Sequence, residues 1–248
     1  MTSSLASEAR GDGGRGDMIR LEAVSNRKLY IQIADQIRDQ ILAGEVKPGE
    51  QLPSERDLAA NLGVSRPTVR EALIALEVAG LVEIRVGVGA FVRRLKKTQK
   101  GLPEQSRSPI EIMTVRRLLE PEATTLACQN IDVAGKERLQ AVIARMRSEA
   151  SEGVWSTETD RALHMTIADY AQNSVLREVL DQLWSMRAEA VDSRFHQHLA
   201  DIEEVREHIL TDHERIVDCI VKADSKGARA AMNEHLDFVS KTMLDSWE

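Results

Sequence analysis

The fold is decided by one short stretch of the chain, Leu62-Gly-Val-Ser-Arg-Pro-Thr-Val-Arg-Glu-Ala-Leu73. Gly63 interrupts the preceding segment, and Ser65 is a residue type that caps helix N-termini. Pro67 falls in the first helical turn, where no backbone N–H partner is lost. Val69 and Leu73 repeat at helical spacing, so the stretch predicts a turn followed by a helix with one buried face.

Working outward, the flanking segments predict two more helices and a hairpin. A stripe of Ile side chains predicts a helix from about Leu29 to Ala43, and Ser54 followed by an acid predicts a short helix to Asn61. Leu81 to Val86 and Ala90 to Arg93 are β-rich runs around the turn Gly87-Val-Gly89. The order helix, short helix, turn, helix, hairpin is typical of a winged helix-turn-helix.

The second helix of this motif begins with side chains suited to reading DNA. Arg66 and Arg70 are four residues apart and are expected to project on one exposed face, where a guanidinium reads guanine. Hydroxyl groups hold phosphates or base edges. The alternative, solvated surface arginines, is disfavoured by their position ahead of a hairpin. The predicted DNA contacts are Arg56, Ser65, Arg66, Thr68, Arg70 and Gly87.

The charge is unevenly distributed along the 248 residues, whose formal net charge is -7. Residues 1–20 and 21–94 are each neutral, and 95–108 carry +3. Residues 109–248 carry 16 basic and 26 acidic side chains, a net charge of -10. Because an acidic surface repels phosphate, any contact with nucleic acid is expected before residue 109.

Composition and breaker residues divide the chain into four predicted segments. Residues 1–20 are polar and Gly-rich and predict a disordered tail, 21–94 form the winged helix-turn-helix, and 95–108 read as a linker. Residues 109–248 give only helical signals and predict an all-α bundle of about six helices. The fold class is therefore mainly α, with a small β-hairpin wing.

Several classes of protein are excluded by the same sequence. No stretch approaches 18 uninterrupted apolar residues, so no membrane span is predicted. The N-terminus lacks an apolar signal region, and only Cys128 and Cys219 are present, which favours a reduced, cytoplasmic protein. A disulfide scaffold and a Cys-based zinc finger are excluded.

The helical part contains four candidate metal ligands. Asp160 and His164 are four residues apart on one predicted helix, and His213 and His235 lie on two later helices. Three imidazoles and one carboxylate suit Zn²⁺, Ni²⁺ or Mn²⁺ and leave positions open for a ligand. Spacing alone leaves a second interpretation open, in which these histidines are hydrogen-bonded core residues.

The motifs in residues 29–93 resemble the GntR family of bacterial repressors. They are Leu29-Tyr-Ile-Gln-Ile-Ala-Asp-Gln-Ile37, Leu52-Pro-Ser-Glu-Arg-Asp-Leu58, the opening stretch to Leu73, and Gly80-Leu-Val-Glu-Ile-Arg-Val-Gly87. In that family, residues matching Arg56, Arg66, Thr68, Arg70 and Gly87 contact operator DNA. The resemblance therefore implies double-stranded DNA as a partner, with a homodimer bound to a palindromic site.

The helical part is similar to the FCD ligand domain of FadR-type members. The similarity lies in Val115-Arg-Arg-Leu-Leu-Glu-Pro-Glu-Ala123, Asp160-Arg-Ala-Leu-His164, Asp212-His213 and Ala230-Ala-Met-Asn-Glu-His235. In many such domains, residues matching Asp160, His164, His213 and His235 hold a divalent metal, and one matching Arg116 lines the effector pocket. The resemblance thus implies a metal cofactor and a small carboxylate effector.

A weaker similarity to hexuronate-responsive members suggests a sugar acid as the effector, which would release a repressor from DNA. Two alternatives stay open: a regulator in which the metal is the signal, and, more remotely, a metal-dependent enzyme. His196 and His198 are interpreted as loop or exposed helix end. Trp155 and Trp184 are interpreted as packing residues or pocket wall.

Overall fold

The computed structural model describes residues 28–94 and 107–245. The tail predicted at 1–20 and most of the linker predicted at 95–108 lie outside the described residues. Within the described part, no helix is both long enough and apolar enough to cross a membrane. Two units are seen, an N-terminal unit with a hairpin and a helical bundle.

The N-terminal unit is the predicted winged helix-turn-helix. Its three helices are α1 (Leu29–Ala43), α2 (Glu55–Leu62) and α3 (Arg66–Val78). The hydroxyl of Ser54 accepts a hydrogen bond from the backbone N–H of Asp57, and that of Ser65 accepts one from Thr68. Both serines therefore act as the N-caps that the sequence predicts. The turn between α2 and α3 is made by Gly63, whose φ is +64°.

The wing is a two-stranded antiparallel hairpin, β1 (Val82–Arg85) and β2 (Gly89–Val92). Its register pairs Val82 with Val92, and both side chains are buried against the helices. The alternation in β2 buries Ala90 and Val92, as expected for a strand with one face on a core. The hairpin thus extends the hydrophobic core of α1 and α3.

The bundle contains seven helices within the described residues, where the sequence predicts about six. Its helices are α4 (Pro109–Asn130), α5 (Val133–Ser151), α6 (Thr157–Tyr170), α7 (Ser174–Met186), α8 (Ala190–Ala200), α9 (Glu203–Val221) and α10 (Ser225–Asp245). The prediction missed the breaks around α8 because neither contains glycine or proline, the usual punctuation. α4 packs against α6, α7 and α10 and is the central helix.

The two units are packed together through α3. One continuous hydrophobic cluster includes residues of both units, and α3 contacts α8 and α10 of the bundle. Ala72, Ile74 and Ala75 of α3 are fully buried. The helix expected to read DNA is therefore also the helix on which the bundle rests.

Candidate functional site

Three of the predicted DNA contacts lie at accessible positions of the winged unit. The side chain of Arg56 on α2 is 80% exposed. Arg56 and Gly87 line one cleft of about 270 Å³ between α2 and the hairpin, and Ser65 is exposed at the start of α3. The backbone φ of Gly87 is +72°, a conformation that favours glycine at the tip of the wing.

The first turn of α3 is organised by its own cap. The hydroxyls of Ser65 and Thr68 are hydrogen-bonded at 2.7 Å, so both are oriented before any ligand arrives. Thr68 and Arg66 are half-buried. Two guanidinium nitrogens of Arg66, Nε and Nη2, are buried, so the expectation that its side chain is exposed holds only in part.

The expectation that Arg70 is exposed is wrong. Its side chain is fully buried, and its Nε and Nη2 atoms bind the carboxylate of Glu55 at 2.9 and 2.5 Å. Nη1 donates to the backbone carbonyl of Met243 near the end of α10. Arg70 is buried because of tertiary packing. Glu55 of α2 lies beside this face of α3, and the end of α10 covers the Arg70 side chain.

A second acidic residue of α3 joins it to the start of the bundle. Glu71 accepts hydrogen bonds from the hydroxyl of Ser108, the N-cap of α4, and from the backbone N–H of Ile110 at 3.4 Å. Burial raises the pKa of Glu71 above its ordinary value. The N-terminus of α4 is thus attached directly to the middle of α3.

Glu77 attaches the other end of α3 to α8. Its carboxylate accepts two hydrogen bonds from Arg194, both at 2.9 Å, and one contact of 2.6 Å from Nε2 of His198. It also accepts the backbone N–H of Ile84 in the wing at 3.1 Å. Burial opposes ionisation, but the bonds from His198 and Arg194 outweigh it and lower the pKa of Glu77 to about 2.

The interpretation of His196 and His198 as loop or exposed helix end is therefore wrong. Both lie inside α8 and are buried, with exposed fractions of 9% and 3%. The bundle covers one face of α8 and α3 covers another. A short polar-rich segment carries no sequence signal for burial on two sides.

The four predicted metal ligands converge in the bundle. The Nε2 atoms of His164 and His213 are 3.3 Å apart, and those of His213 and His235 are 3.2 Å apart. Ligand atoms of the three histidines all lie within 4.8 Å of one another. Oδ1 of Asp160 is 3.7 Å from Nε2 of His164 and 3.6 Å from that of His213.

The imidazoles are held in a form that suits a metal. Burial, with the nearby His235, lowers the pKa of His213 well below its ordinary value, and burial also lowers the pKa of His235. The rings of His213 and His235 therefore favour the neutral form, in which an imidazole nitrogen can donate its lone pair to a cation. A cation is the group that such a donor set fits.

Carboxylates behind the cluster orient its rings. Oε2 of Glu120 is 2.5 Å from Nδ1 of His164, so that ring presents Nε2 to the cluster. Oδ2 of Asp212 is 3.7 Å from Nδ1 of His235. Neither acid was predicted from the sequence, although Glu120 follows Arg116 at the i, i+4 spacing of an ion pair.

Two guanidinium groups lie beside the cluster. Arg116 is buried and binds Glu120 at 2.6 Å, and Arg187 binds Oδ2 of Asp160 at 3.1 Å. Both lie over the ring of Trp184, at 4.4 and 4.2 Å from its centroid. Burial opposes ionisation of Asp160, but Arg187 outweighs it and lowers the pKa of the carboxyl. Trp184 therefore packs against both guanidinium groups.

A small cavity reaches the cluster from one side. It is lined by Arg116, Trp155, Asp160, Arg187, His196 and His235 among others, and its volume is about 20 Å³. That volume holds roughly one water molecule. An organic effector therefore enters only if the lining side chains move.

Comparisons with known proteins show the family to which the chain belongs. Residues 29–92 match the family described as bacterial regulatory proteins, gntR family, and residues 111–238 match the FCD domain. The chain is 35% identical over 233 residues to the Uxu operon transcriptional regulator of Escherichia coli K12, which covers 90% of each protein. The chain belongs to the GntR family.

Other relatives of this GntR-family regulator span nearly the same length. It is 30% identical over 211 residues to the HTH-type transcriptional regulator LutR of Bacillus subtilis, covering 83% of this chain and 96% of LutR. The solved structure of E. coli McbR/YncC is similar over 89% of this chain and 99% of that one, with 22% identity and a TM-score of 0.49. The predicted family and fold class are confirmed.

Proposed function

We propose that this GntR-family regulator is a repressor that leaves a palindromic operator when a small carboxylate effector binds a divalent metal in its FCD domain. The proposal is supported above all by one arrangement: three imidazoles and Asp160 converge beside the guanidiniums of Arg116 and Arg187. A metal held there has open positions, and paired cationic groups favour a carboxylate.

The residues proposed to hold the metal come from three helices. Asp160 and His164 lie on α6, His213 on α9 and His235 on α10. When bound, Zn²⁺, Ni²⁺ or Mn²⁺ supplies a Lewis-acidic anchor for a carboxylate oxygen. Arg116 supplies the second anchor, held in place by Glu120.

The effector is proposed to be a sugar acid. The similarity to hexuronate-responsive members supports this, as do the relatives named as regulators of the Uxu operon and the Exu regulon. Because the cavity now holds about one water molecule, any such ligand must displace lining side chains, some of which belong to α8 and α9. Occupancy is thereby linked to a change of shape.

On the DNA side, we propose direct contacts from Arg56, Ser65, Arg66, Thr68, Arg70 and Gly87. Arg70 is enclosed by Glu55 and by the end of α10, so its use requires the bundle to shift on α3. The same shift is what an effector in the bundle would control. We therefore place repression and release in the contact between α3 and the bundle.

A homodimer is proposed because one recognition helix offers too few base contacts for useful specificity. An exposed apolar surface is available for it on two adjacent helices. Leu118 and Val115 of α4 are 69% and 36% exposed, and Val175 and Val179 of α7 are 70% and 38% exposed. We name this set the α4–α7 patch.

A second candidate function, in which the metal itself is the signal, is favoured by the size of the cavity. A bare cation fits between His164, His213 and His235 without displacing any side chain, whereas an organic acid does not. A metal sensor responds to metal depletion with no carboxylate present. A carboxylate-responsive repressor does not.

The test uses the full-length protein purified without chelator. Elemental analysis is expected to find about one divalent metal per chain. A duplex selected from random sequences serves as the operator, and thermal shifts are measured with D-gluconate, D-galacturonate and L-lactate, with and without chelator. We expect a carboxylate to stabilise only the metal-loaded protein and to release the duplex.

Three outcomes contradict parts of the proposal. Absence of metal, together with no stabilisation by Zn²⁺, Ni²⁺ or Mn²⁺, assigns the histidines to core hydrogen bonding. Release of the duplex by chelator alone favours the metal sensor. Tighter duplex binding with the carboxylate makes the protein a co-repressed or activating regulator.

A further inference from the structure

The wing tip, Gly87-Val-Gly89, is held by a residue that is not among the proposed DNA contacts. The Nε2 atom of Gln51 donates a hydrogen bond of 2.8 Å to the backbone carbonyl of Val88. Gln51 belongs to the segment that leads into α2, 37 residues earlier in the chain. Its side chain therefore connects the start of the α2–α3 motif to the tip of the hairpin.

The backbone of Gln51 is itself fixed against strand β2. Gln51 pairs with Phe91 in an antiparallel bridge. The next residue, Leu52, is buried and donates its N–H to the carbonyl of Ala90 at 2.8 Å. A side chain attached to such a backbone can hold the tip in one place.

The tip has room for the Gln51 amide because residue 89 is glycine. A β-carbon at Gly89 would lie 2.5 Å from Nε2 of Gln51, closer than two such atoms approach. Glycine loses more conformational freedom on folding than any other residue, so a tip with Gly87 and Gly89 needs a contact to keep one conformation. The Gln51 amide supplies such a contact.

The tip lies across a cleft from a proposed DNA contact of α2. The cleft is lined from both sides, and its lining includes Gln51, Arg56, Gly87 and Val88. Val88 is 59% exposed. A duplex that contacts Arg56 and the tip together requires a defined distance between them. Groups that are fixed before binding lose less conformational freedom when the ligand arrives.

We infer that Gln51 is a positioning residue for DNA binding, whose amide holds the wing tip in the conformation that contacts the duplex. Gln51 acts through the carbonyl of Val88 and is not itself a DNA contact. It has this role only if Gly87 contacts operator DNA, so the inference rests on the proposed function.

The first test measures the tip in the free, full-length protein. Hydrogen exchange of the Val88 N–H, which donates to the carbonyl of Arg85 at 2.9 Å, reports whether the turn stays closed. Gln51→Met keeps the length of the side chain but removes the donor. It is expected to speed this exchange about three- to tenfold, the range that corresponds to one hydrogen bond. Gln36→Met, at an exposed position of α1, is the control and should leave the exchange unchanged.

The second test measures binding of the full-length protein to the selected duplex by fluorescence anisotropy at fixed salt. Gln51→Met is expected to weaken binding about three- to tenfold, and Gln36→Met to leave it unchanged. Val88→Glu brings a negative charge to the phosphates and is expected to weaken binding by the wild type at least about tenfold. In the Gln51→Met background the same charge should weaken binding by a clearly smaller factor, because a freed tip can turn away from the DNA.

Failure of the positioning role is distinguishable from failure of the proposed function. If either the exchange or the duplex binding of Gln51→Met equals that of the wild type, Gln51 does not position the tip, while DNA binding by the winged unit stands. If Val88→Glu weakens binding by the same factor in both backgrounds, Gln51 acts independently of the tip and the positioning role is wrong. If the full-length protein binds no selected duplex, the proposed function fails, and with it the role of Gln51 in DNA binding.

Discussion

Arg66 and Arg70 lie one turn apart on α3, yet their surroundings differ. Arg66 is half-buried at the edge of the winged unit, whereas Arg70 is enclosed between Glu55 and the carbonyl of Met243. A guanidinium already paired with a carboxylate must exchange that partner for a base edge. The two arginines are therefore expected to respond differently to substitution.

Both Arg66→Ala and Arg70→Ala are expected to weaken operator binding by about 1–3 kcal/mol if each reads a guanine. Only Arg70→Ala is also expected to lower the melting temperature, because it leaves Glu55 without its buried partner. Fluorescence anisotropy at fixed salt and thermal unfolding measure the two effects. Arg147→Ala, which removes an exposed ion pair with Glu214, serves as the control. An Arg66 variant that binds like the wild type would contradict its base-reading role.

Asp192 is expected to destabilise the protein at neutral and alkaline pH. Burial raises the pKa of Asp192 to about 7, far above the value near 3.8 in an unfolded chain. The folded state therefore binds more protons than the unfolded state between these two values, and stability falls as the pH rises through that window.

Asp192→Asn is accordingly expected to raise the melting temperature at pH 8, by roughly 2–4 °C for each kcal/mol added to the free energy of unfolding. The gain should shrink toward pH 4, where Asp192 is protonated in the folded protein. Thermal unfolding across this range measures it, with Asp218→Asn as the matched exposed control. A variant less stable than the wild type at pH 8 would show that the ionised carboxylate is satisfied.

At the scale of the element, α8 carries two sets of side chains on different faces. Asp192 and His196 lie toward the cavity, and Arg194 and His198 bind Glu77 of α3. Two residues along a helix correspond to a rotation of about 200°, so the two sets necessarily face opposite ways. One short helix thus contacts both the proposed effector site and the recognition helix.

Glu77→Gln is expected to loosen this contact, destabilising the protein by about 1–3 kcal/mol. The folded-state pKa of Glu77, about 2, lies below the unfolded value of 4.5, so its contribution is present above pH 4.5 and is lost as the pH falls toward 2. The free energy of unfolding of the variant should therefore depend less on pH between 4.5 and 2. Its backbone amides in the wing should also exchange hydrogen faster. Glu83→Gln, on the exposed side of β1, is the control. Unchanged exchange at Ile84 would contradict the link.

The metal cluster joins α6, α9 and α10, so its loss is expected to affect the whole bundle. His213→Ala should lower metal content, thermal stability and effector response together, while leaving basal operator binding largely intact. Asp218→Asn removes an exposed carboxylate on the same helix and should change none of these. Imidazole binds metal only when it is neutral, and the pKa values of His213 and His235 are lowered, so affinity should fall only at a pH clearly below the ordinary imidazole pKa of about 6.5. Loss of stability without loss of metal would assign His213 to packing alone.

Much of the architecture could be predicted from particular residues. The caps Ser54 and Ser65 placed the starts of α2 and α3, because a side-chain hydroxyl satisfies a helix end locally. The breaks around α8 could not be predicted, since Arg187 to Glu189 and Asp201 to Ile202 end helices through tertiary packing rather than turn chemistry.

The site divides in the same way. The four candidate metal ligands could be predicted because their residue types and spacing are typical of metal sites, and the structure brings them together. They are Asp160, His164, His213 and His235. Three buried carboxylates near the site could not be predicted, because a carboxylate on a helix is normally solvated and only the tertiary structure buries it. They are Glu120, Asp192 and Asp212. The burial of Arg70 was missed for the same reason.

At the scale of the whole molecule, the α4–α7 patch is expected to be the dimer contact. Leu118→Glu should shift the protein toward monomer in light scattering and weaken binding to a palindromic duplex more than to a half-site. Val133→Glu places the same charge at an exposed valine of α5, outside the patch, and should leave the dimer intact. A wild-type protein that is monomeric both free and on DNA would contradict the dimer.

The buried carboxylate of Glu77 has a consequence for evolution and engineering. It accepts bonds from the wing and from two cationic side chains of α8, so neither half of the protein satisfies it alone. In a chimera that joins this winged unit to a foreign FCD domain, the buried carboxylate of Glu77 would lose its partners Arg194 and His198. Exchange of winged units between family members should therefore give a functional protein only when the recipient FCD domain carries residues equivalent to Arg194 and His198.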